Sequence, residues 1–296
     1  MTINLGRATS FMAAHARILD RRRFDLAGND DDANRAAVLA AVDGYRNPDG
    51  GYGWGLEPDL RARESQPGGA LHALEAIAGA GPATSPGTVA LLDWLQSVSL
   101  PDGGVPFALP VADPAGCAPF WLQADPAASS VQITAAITTQ AHRAAGWDAR
   151  AKDHPWLAAA TRYCLEEIRR MDEPPFAYVL LFAIHFLDAA ADSYPEAHEL
   201  LARLGKFVPP DGVLPVAGGA EGESLHLLDF APEPGRPARA LFDDGAVAAD
   251  LDRLAARQQP DGGWEVDFTS YSDAAALEWR GYATVSAVEV LRMNGR

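Results

Sequence analysis

The densest chemistry in the sequence lies in Leu56-Glu57-Pro58-Asp59-Leu60-Arg61-Ala62-Arg63-Glu64-Ser65-Gln66-Pro67. Three carboxylates, two guanidiniums and an amide fall within ten residues. Carboxyls brought together in a buried site cannot all ionise, so one keeps its proton near neutral pH and can serve as an acid. Guanidiniums beside them suit an anionic group. The C-terminal part offers Asp267, Tyr271, Asp273, Glu278, Trp279, Arg280 and Tyr282. Between these lie Trp121, Gln123, Asp125, Ser129, Ser130 and Gln132, then His226, Asp229, Arg236 and Arg239. Each group also has a structural reading. The first stretch can be a solvated loop with internal ion pairs. Glu64, Ser65, Ser129 and Ser130 can cap helices, and Glu278 and Arg280 can be a structural pair around Trp279. Asp30, Asp31 and Asp32 precede a helix and suit its N-terminal dipole better than a metal. The seven histidines are scattered.

The elements that must position these groups recur along the chain. Asn47-Pro48-Asp49-Gly50-Gly51-Tyr52, Leu100-Pro101-Asp102-Gly103-Gly104-Val105, Pro209-Pro210-Asp211-Gly212-Val213 and Gln259-Pro260-Asp261-Gly262-Gly263-Trp264 are copies of one string. Two gaps of about 50 residues flank one about twice as long, the mark of a tandem supersecondary unit. A degenerate fifth link fits the long gap at Met171-Asp172-Glu173-Pro174-Pro175. Pro-Asp-Gly-Gly is turn chemistry: Pro presets φ, Asp caps the backbone and Gly accepts positive φ. Helices are predicted before the turns over 33–45, 89–97, 196–204 and 246–258. A second class follows over 69–80, 130–145, 176–191 and 283–293. The second class is richer in small and apolar residues, as buried helices are. The first 20 residues read as an amphipathic helix with Phe11, Met12, His15, Ile18 and Leu19 inward. Pro232, Pro234 and Pro237 interrupt 224–241.

The chain has 296 residues and a formal charge of −16, with a pI near 4.7. It carries only two lysines, Lys152 and Lys206, and no basic stripe, which argues against nucleic acid or an anionic membrane as partner. Two cysteines, Cys117 and Cys164, make neither a zinc ribbon nor a disulfide scaffold. The longest apolar stretch, 176–187, is too short to span a bilayer. A cytoplasmic protein is expected.

Leu254-Ala255-Ala256-Arg257-Gln258-Gln259-Pro260-Asp261-Gly262-Gly263-Trp264 resembles the QW-type repeat of squalene–hopene cyclases and the related repeat of protein prenyltransferase β-subunits. Trp94-Leu95-Gln96 ahead of Asp102, and Asp49-Gly50-Gly51-Tyr52-Gly53-Trp54-Gly55, are partial copies. The resemblance implies an all-α fold, an α/α toroid of five to six helical hairpins in a single domain over 1–296. It implies a central cavity that often holds an isoprenoid, with the stretches after the turns at its mouth. Gln258, Gln259, Gly262, Gly263 and Trp264 are read as architecture, satisfying helix-end groups. The family's reactive motifs do not match. The prenyltransferase zinc pair is absent, since Ala115 and Arg162 stand two positions before the cysteines. Neither Asp30-Asp31-Asp32 nor Asp243-Asp244 fits the Asp-x-Asp-Asp acid of class II cyclases, and no Asp-Asp-x-x-Asp helix is evident.

The expectation is therefore a small-molecule enzyme performing acid–base cyclisation or related chemistry on an isoprenoid or other apolar substrate. Glu64 is the first candidate acid, with Glu57, Asp59 and Glu278 tuning or replacing it and Glu64 facing Glu278 across the mouth. Arg61, Arg63 and Arg280 would hold an anionic head group. Gln66, Trp54, Trp121, Gln132, His226, Trp279 and Tyr282 would line the cavity, aromatic faces serving a carbocation. No metal or cofactor is expected. The alternatives are a carbohydrate-active toroid enzyme, which would need paired carboxyls across a cleft, and a non-catalytic binding module.

Overall fold

The computed structural model describes residues 3–296. In chain order the helices are α1 (Leu5–His15), α2 (Ile18–Gly28), α3 (Asp32–Asp43), α4 (Pro67–Gly79), α5 (Pro86–Val98), α6 (Pro119–Leu122) and α7 (Val131–Ala145). They continue as α8 (Ala149–Lys152), α9 (Pro155–Arg169), α10 (Ala177–Ala190), α11 (Glu196–Leu204), α12 (Leu227–Phe230), α13 (Asp244–Ala256) and α14 (Asp273–Met293). The only strands among the described residues, β1 (Leu214–Pro215) and β2 (Ser224–Leu225), form a short antiparallel pair. The fold is all-α. Among the described residues no helix is long and apolar enough to cross a membrane.

Contacts within the chain gather into two compact units, Asp30–Glu173 and Met1–Asn29 with Pro174–Arg296. In the first, α4 and α7 pack along each other, flanked by α3, α5 and α9. Burial of Ala70, Ala73, Leu74 and Ile77 on α4 fits its small-residue composition. On α7, the buried hydroxyls of Thr134, Thr138 and Thr139 each donate to the carbonyl four residues back, at 2.6–2.8 Å, so a buried face tolerates them. In the second unit α14 packs against α1, α2 and α13, while α10 packs against α11 and α12.

Three of the four turns share one geometry. Leu100 N–H donates to the Gly104 carbonyl at 2.8 Å and Gly103 N–H to the Leu100 carbonyl at 2.9 Å. Asn47 with Gly51 and Gln259 with Gly263 repeat the outer bond. In each, the aspartate Oδ1 accepts the N–H two residues on, at Gly51, Gly104 and Gly263. The first glycine has φ of 92°, 94° and 99° at Gly50, Gly103 and Gly262. A Cβ there would strike the backbone of a helix further along the turn's neighbour: the Ala90 carbonyl oxygen at 2.6 Å on α5, Ala159 at 2.9 Å on α9, or Arg7 at 2.3 Å on α1. The second glycine lies against a ring four residues later on the same helix, Trp94, Tyr163 or Phe11, with Cβ distances of 2.7–2.9 Å. Each turn thus docks backbone-to-backbone onto the next helix of its class. Gln258 adds two bonds to the Asn4 backbone, and Trp264 Nε1 caps the Leu254 carbonyl at 2.8 Å.

Several expectations need correction. The third copy keeps the Asp211 cap on Val213 N–H, but Val213 replaces the second glycine and is exposed, and Gly212 faces Leu227. The 171–175 segment has no glycine and no such turn. The N-terminal segment breaks at Ala16–Arg17 into two helices, so the register shifts: Phe11, Met12 and Leu19 are buried, His15 and Ile18 exposed. α14 begins ten residues before the predicted start because Ser272 caps it through Ala275 N–H. Ser65 and Ser129 are not caps; each donates to its turn aspartate, Asp49 at 2.8 Å and Asp102 at 2.7 Å. Asp31 does cap α3, accepting from Asn34 N–H, while Asp30 and Asp32 pair with Arg35.

Replacing Gly103 by Ala should cost about 1–3 kcal/mol in urea unfolding, since strain and a backbone clash add. Gly79→Ala, at a helix end with open space around it, should gain up to about 1 kcal/mol. Equal effects from the two would show that the turn is not what docks the helices.

Candidate functional site

The first post-turn stretch is not a solvated loop. Glu57 and Asp59 are 5% and 3% exposed. Glu57 Oε2 accepts from His72 Nε2 at 2.9 Å, and Glu57 Oε1 accepts the Asp59 N–H at 2.9 Å. His72, on α4, also meets Glu75 through Nδ1 at 3.1 Å. Burial opposes the imidazolium, but hydrogen bonds to Glu57 and Glu75 and their charges override it, raising His72 to about 9. The result is a carboxylate–imidazolium–carboxylate relay that ties the loop to α4. Its geometry holds rather than reacts, because both Glu57 oxygens are engaged. Gly68 admits this packing: a Cβ there would crowd Glu57 and the Trp121 ring at 3.2–3.3 Å. Trp121 stacks on Phe107 with centroids 4.5 Å apart. Gln66 clamps the Leu109 backbone with both amide atoms, at 2.9 and 3.0 Å. Arg61 lies half-buried under Gly116.

Trp54, Arg63 and Glu64 come together elsewhere in the same unit. They line a cleft of about 640 Å³ with Trp94, Asp49 and Pro110. Gln132 is half-buried at the start of α7.

In the other unit, Glu278, Trp279, Arg280 and Tyr282 sit on α14, not on a loop. Arg280 donates to both Asp261 oxygens at 2.8 and 2.9 Å and lies over the Phe11 ring. It completes the fourth turn, so its charge is spent on structure. Glu278 lies 4.0 Å from Arg17. Trp279 packs edge-on between Phe268 and Tyr282, and Arg23 covers Tyr282.

A second arrangement surrounds Asp229, in the 226–239 stretch. Asp229 is open to solvent, yet its surroundings are dense enough that desolvation lifts its carboxyl to about 6, with Asp250 and Asp267 adding to the rise and the His226 N–H and Arg253 opposing it. Its Oδ2 accepts the His226 N–H at 2.6 Å, and its carbonyl accepts His185 Nε2–H at 2.6 Å. α10 turns Tyr178, Phe182 and His185, spaced four and three residues apart, to one half-buried face. Their rings follow one another at 6.5 and 6.2 Å. Tyr178 donates to Glu223 Oε1 at 2.7 Å, and burial with that carboxylate pushes its phenol up. Burial and Arg253 lower His226. An accessible acid beside an aromatic wall is thus assembled from α10, α12 and the 223–226 segment. The sequence carried the His226–Asp229 spacing but no sign of the desolvation. No group of three or more His, Cys, Asp or Glu among the described residues could hold a metal.

No protein-family model and no curated protein matches the sequence. Solved structures do match. A protein from Actinoplanes is similar over 99% of this chain and 98% of its own, with a TM-score of 0.60 and 16% identity. The type II terpene cyclase MstE from Scytonema, solved as a variant in complex with its substrate geranylgeranyl dihydroxybenzoate, is similar over 94% of this chain and 88% of its own. There the TM-score is 0.51 at 13% identity. The chain therefore has a terpene-cyclase-like fold, of the α/α-toroid class.

The raised pKa of His72 predicts a pH dependence. Its folded value exceeds the unfolded value of about 6.5, so the stabilisation is complete below 6.5 and is lost as pH rises through about 9. Unfolding free energy should fall by up to about 3 kcal/mol between these limits, and His72→Asn should lack that slope. Parallel pH profiles for the two proteins would refute the relay.

Proposed function

We propose that the chain belongs to the squalene–hopene cyclase and prenyltransferase superfamily and performs acid-initiated cyclisation or isomerisation of an isoprenoid or similar apolar polyene. The carrying observation is the accessible Asp229 carboxyl, held at about 6 beside Tyr178, Phe182 and His185. The acid is placed there rather than at Glu64, Glu57, Asp59 or Glu278, because desolvation prepares it and an aromatic face adjoins it. Its O–H proton passes to an alkene carbon, whose π pair forms the new C–H bond. The resulting cation faces the rings of α10. A second alkene closes the ring, and loss of a C–H proton to the Asp229 carboxylate restores the acid. The product is an isomer of the substrate. His185 and the His226 N–H fix the main chain and carboxylate of Asp229, so the proton stays at one place.

The fold likeness supports this reading, and the Scytonema enzyme's substrate suggests the first compounds to try. Incubation with geranylgeranyl dihydroxybenzoate, geranylgeraniol and squalene, followed by mass spectrometry, should reveal an isobaric product from at least one. Asp229→Asn should reduce turnover by about 10²-fold or more. Because the protonated form reacts, kcat should fall about tenfold per pH unit above about 6. The same substitution should raise Tm at pH 7–8. A carboxyl whose folded pKa is raised stabilises least when ionised, so this gain fades as pH falls through 6 toward 3.8. Undiminished turnover in Asp229→Asn would sink the assignment, as would a Tm loss at every pH.

A further inference from the structure

The cleft at the first turn belongs to none of this chemistry. Trp54 is the only non-glycine with positive φ among the described residues, at 57°. A bulky residue held there is strained. Its side chain is 53% exposed, so core burial does not repay that strain. The conformation is nevertheless fixed from three sides. Trp54 Nε1 donates to Asn47 Oδ1 at 2.8 Å, and Asn47 Nδ2 donates to the Arg63 carbonyl at 2.9 Å and Ser65 Oγ at 3.0 Å. The preceding Gly53 lies so close to the 63–64 backbone that a Cβ would approach the Arg63 and Glu64 carbonyl oxygens to 2.3 Å. The indole is thus presented to solvent in one place, over a cleft of about 640 Å³.

Arg63 and Glu64 line that cleft, and neither side chain forms a hydrogen bond or ion pair among the described residues. A free guanidinium and a free carboxylate beside a fixed aromatic plane define the ligand. A ligand of a single charge sign would face one like charge, and an apolar one would desolvate both without replacing their hydrogen bonds. A neutral polyhydroxylated ring satisfies each, offering acceptors to Arg63 and donors to Glu64, while its C–H face lies on the indole. We infer that this cleft is a binding site for a neutral saccharide, separate from Asp229 and independent of the function proposed for it. Binding is non-covalent; Trp54 supplies the platform and Arg63 and Glu64 select hydroxyl groups.

The test is calorimetric titration of the full chain with cellotetraose, maltotetraose, xylotetraose and N-acetylchitotetraose. At least one should bind with a Kd of about 1 mM or tighter. Trp54→Gly should weaken it by about tenfold or more while Tm stays level or rises, since glycine accepts the left-handed conformation freely. Arg63→Gln and Glu64→Gln should each weaken it about threefold or more. The inference is overturned if none of the four binds at about 10 mM. It is likewise overturned if binding survives Trp54→Gly, or if that substitution lowers Tm, which would make Trp54 a packing residue.

Discussion

The fold depends on close approach of backbone to backbone at the Asp-Gly-Gly turns. In three copies the first glycine sits against a helix carbonyl and the second against an aromatic ring on that helix. No side chain could occupy either place without moving a helix. The aspartate caps the turn and recruits a partner from the segment that follows: Ser65, Ser129 or Arg280. One short string therefore sets three things together: where a helix ends, which helix it docks on, and where the next stretch begins. That coupling is why the period survives while the sequence between the turns varies.

The repeat made the helices legible. The order of most helices and the contrast between small-residue and more polar ones followed from turn chemistry and periodicity, whereas α9 (Pro155–Arg169) and the separate α2 were not among the expected helices. What remained hidden depended on partners distant in sequence. Glu57 and Asp59 read equally as loop charge or as candidate acids, because nothing local shows that His72 lies 2.9 Å from Glu57. Ser65 and Ser129 looked like caps because each precedes a helix, yet the turn aspartates claim their hydroxyls. Glu278 to Tyr282 fall before the helix expected from periodicity, whereas the Ser272 cap starts α14 early enough to carry them. Asp229 is a candidate from the sequence, but the rise of its carboxyl comes from desolvation by the dense atoms around it and from Asp250 and Asp267, none of which spacing can reveal.

His72 and Asp229 show the two outcomes of placing a charge among protein atoms. At His72 desolvation is opposed by two carboxylates in hydrogen-bond contact, and the charge persists to about pH 9. Such a group stabilises the arrangement of its partners and has little freedom to exchange a proton with anything else. At Asp229 the stabilising contacts are weaker than the desolvation and the neighbouring acids, so the neutral form is retained to about pH 6. The first is suited to holding a loop, the second to transferring a proton.

This difference bears on the acid chemistry proposed for a terpene-cyclase-like fold that carries no Asp-x-Asp-Asp string. What an alkene requires of the protein is a protonated, accessible acid next to surfaces that tolerate a cation; the letters that supply it are not fixed by the fold. Here α12 is a single short helix where the other hairpins carry long ones, and Pro232, Pro234 and Pro237 follow it. A full helix at that point would satisfy its own backbone and pack its side chains. The truncated one leaves Asp229 facing solvent while His185 and Tyr178 reach the segment from α10. The irregularity that most weakens the repeat is thus the feature that leaves the Asp229 carboxyl exposed, and the proposed acid is drawn from the least regular part of a regular scaffold.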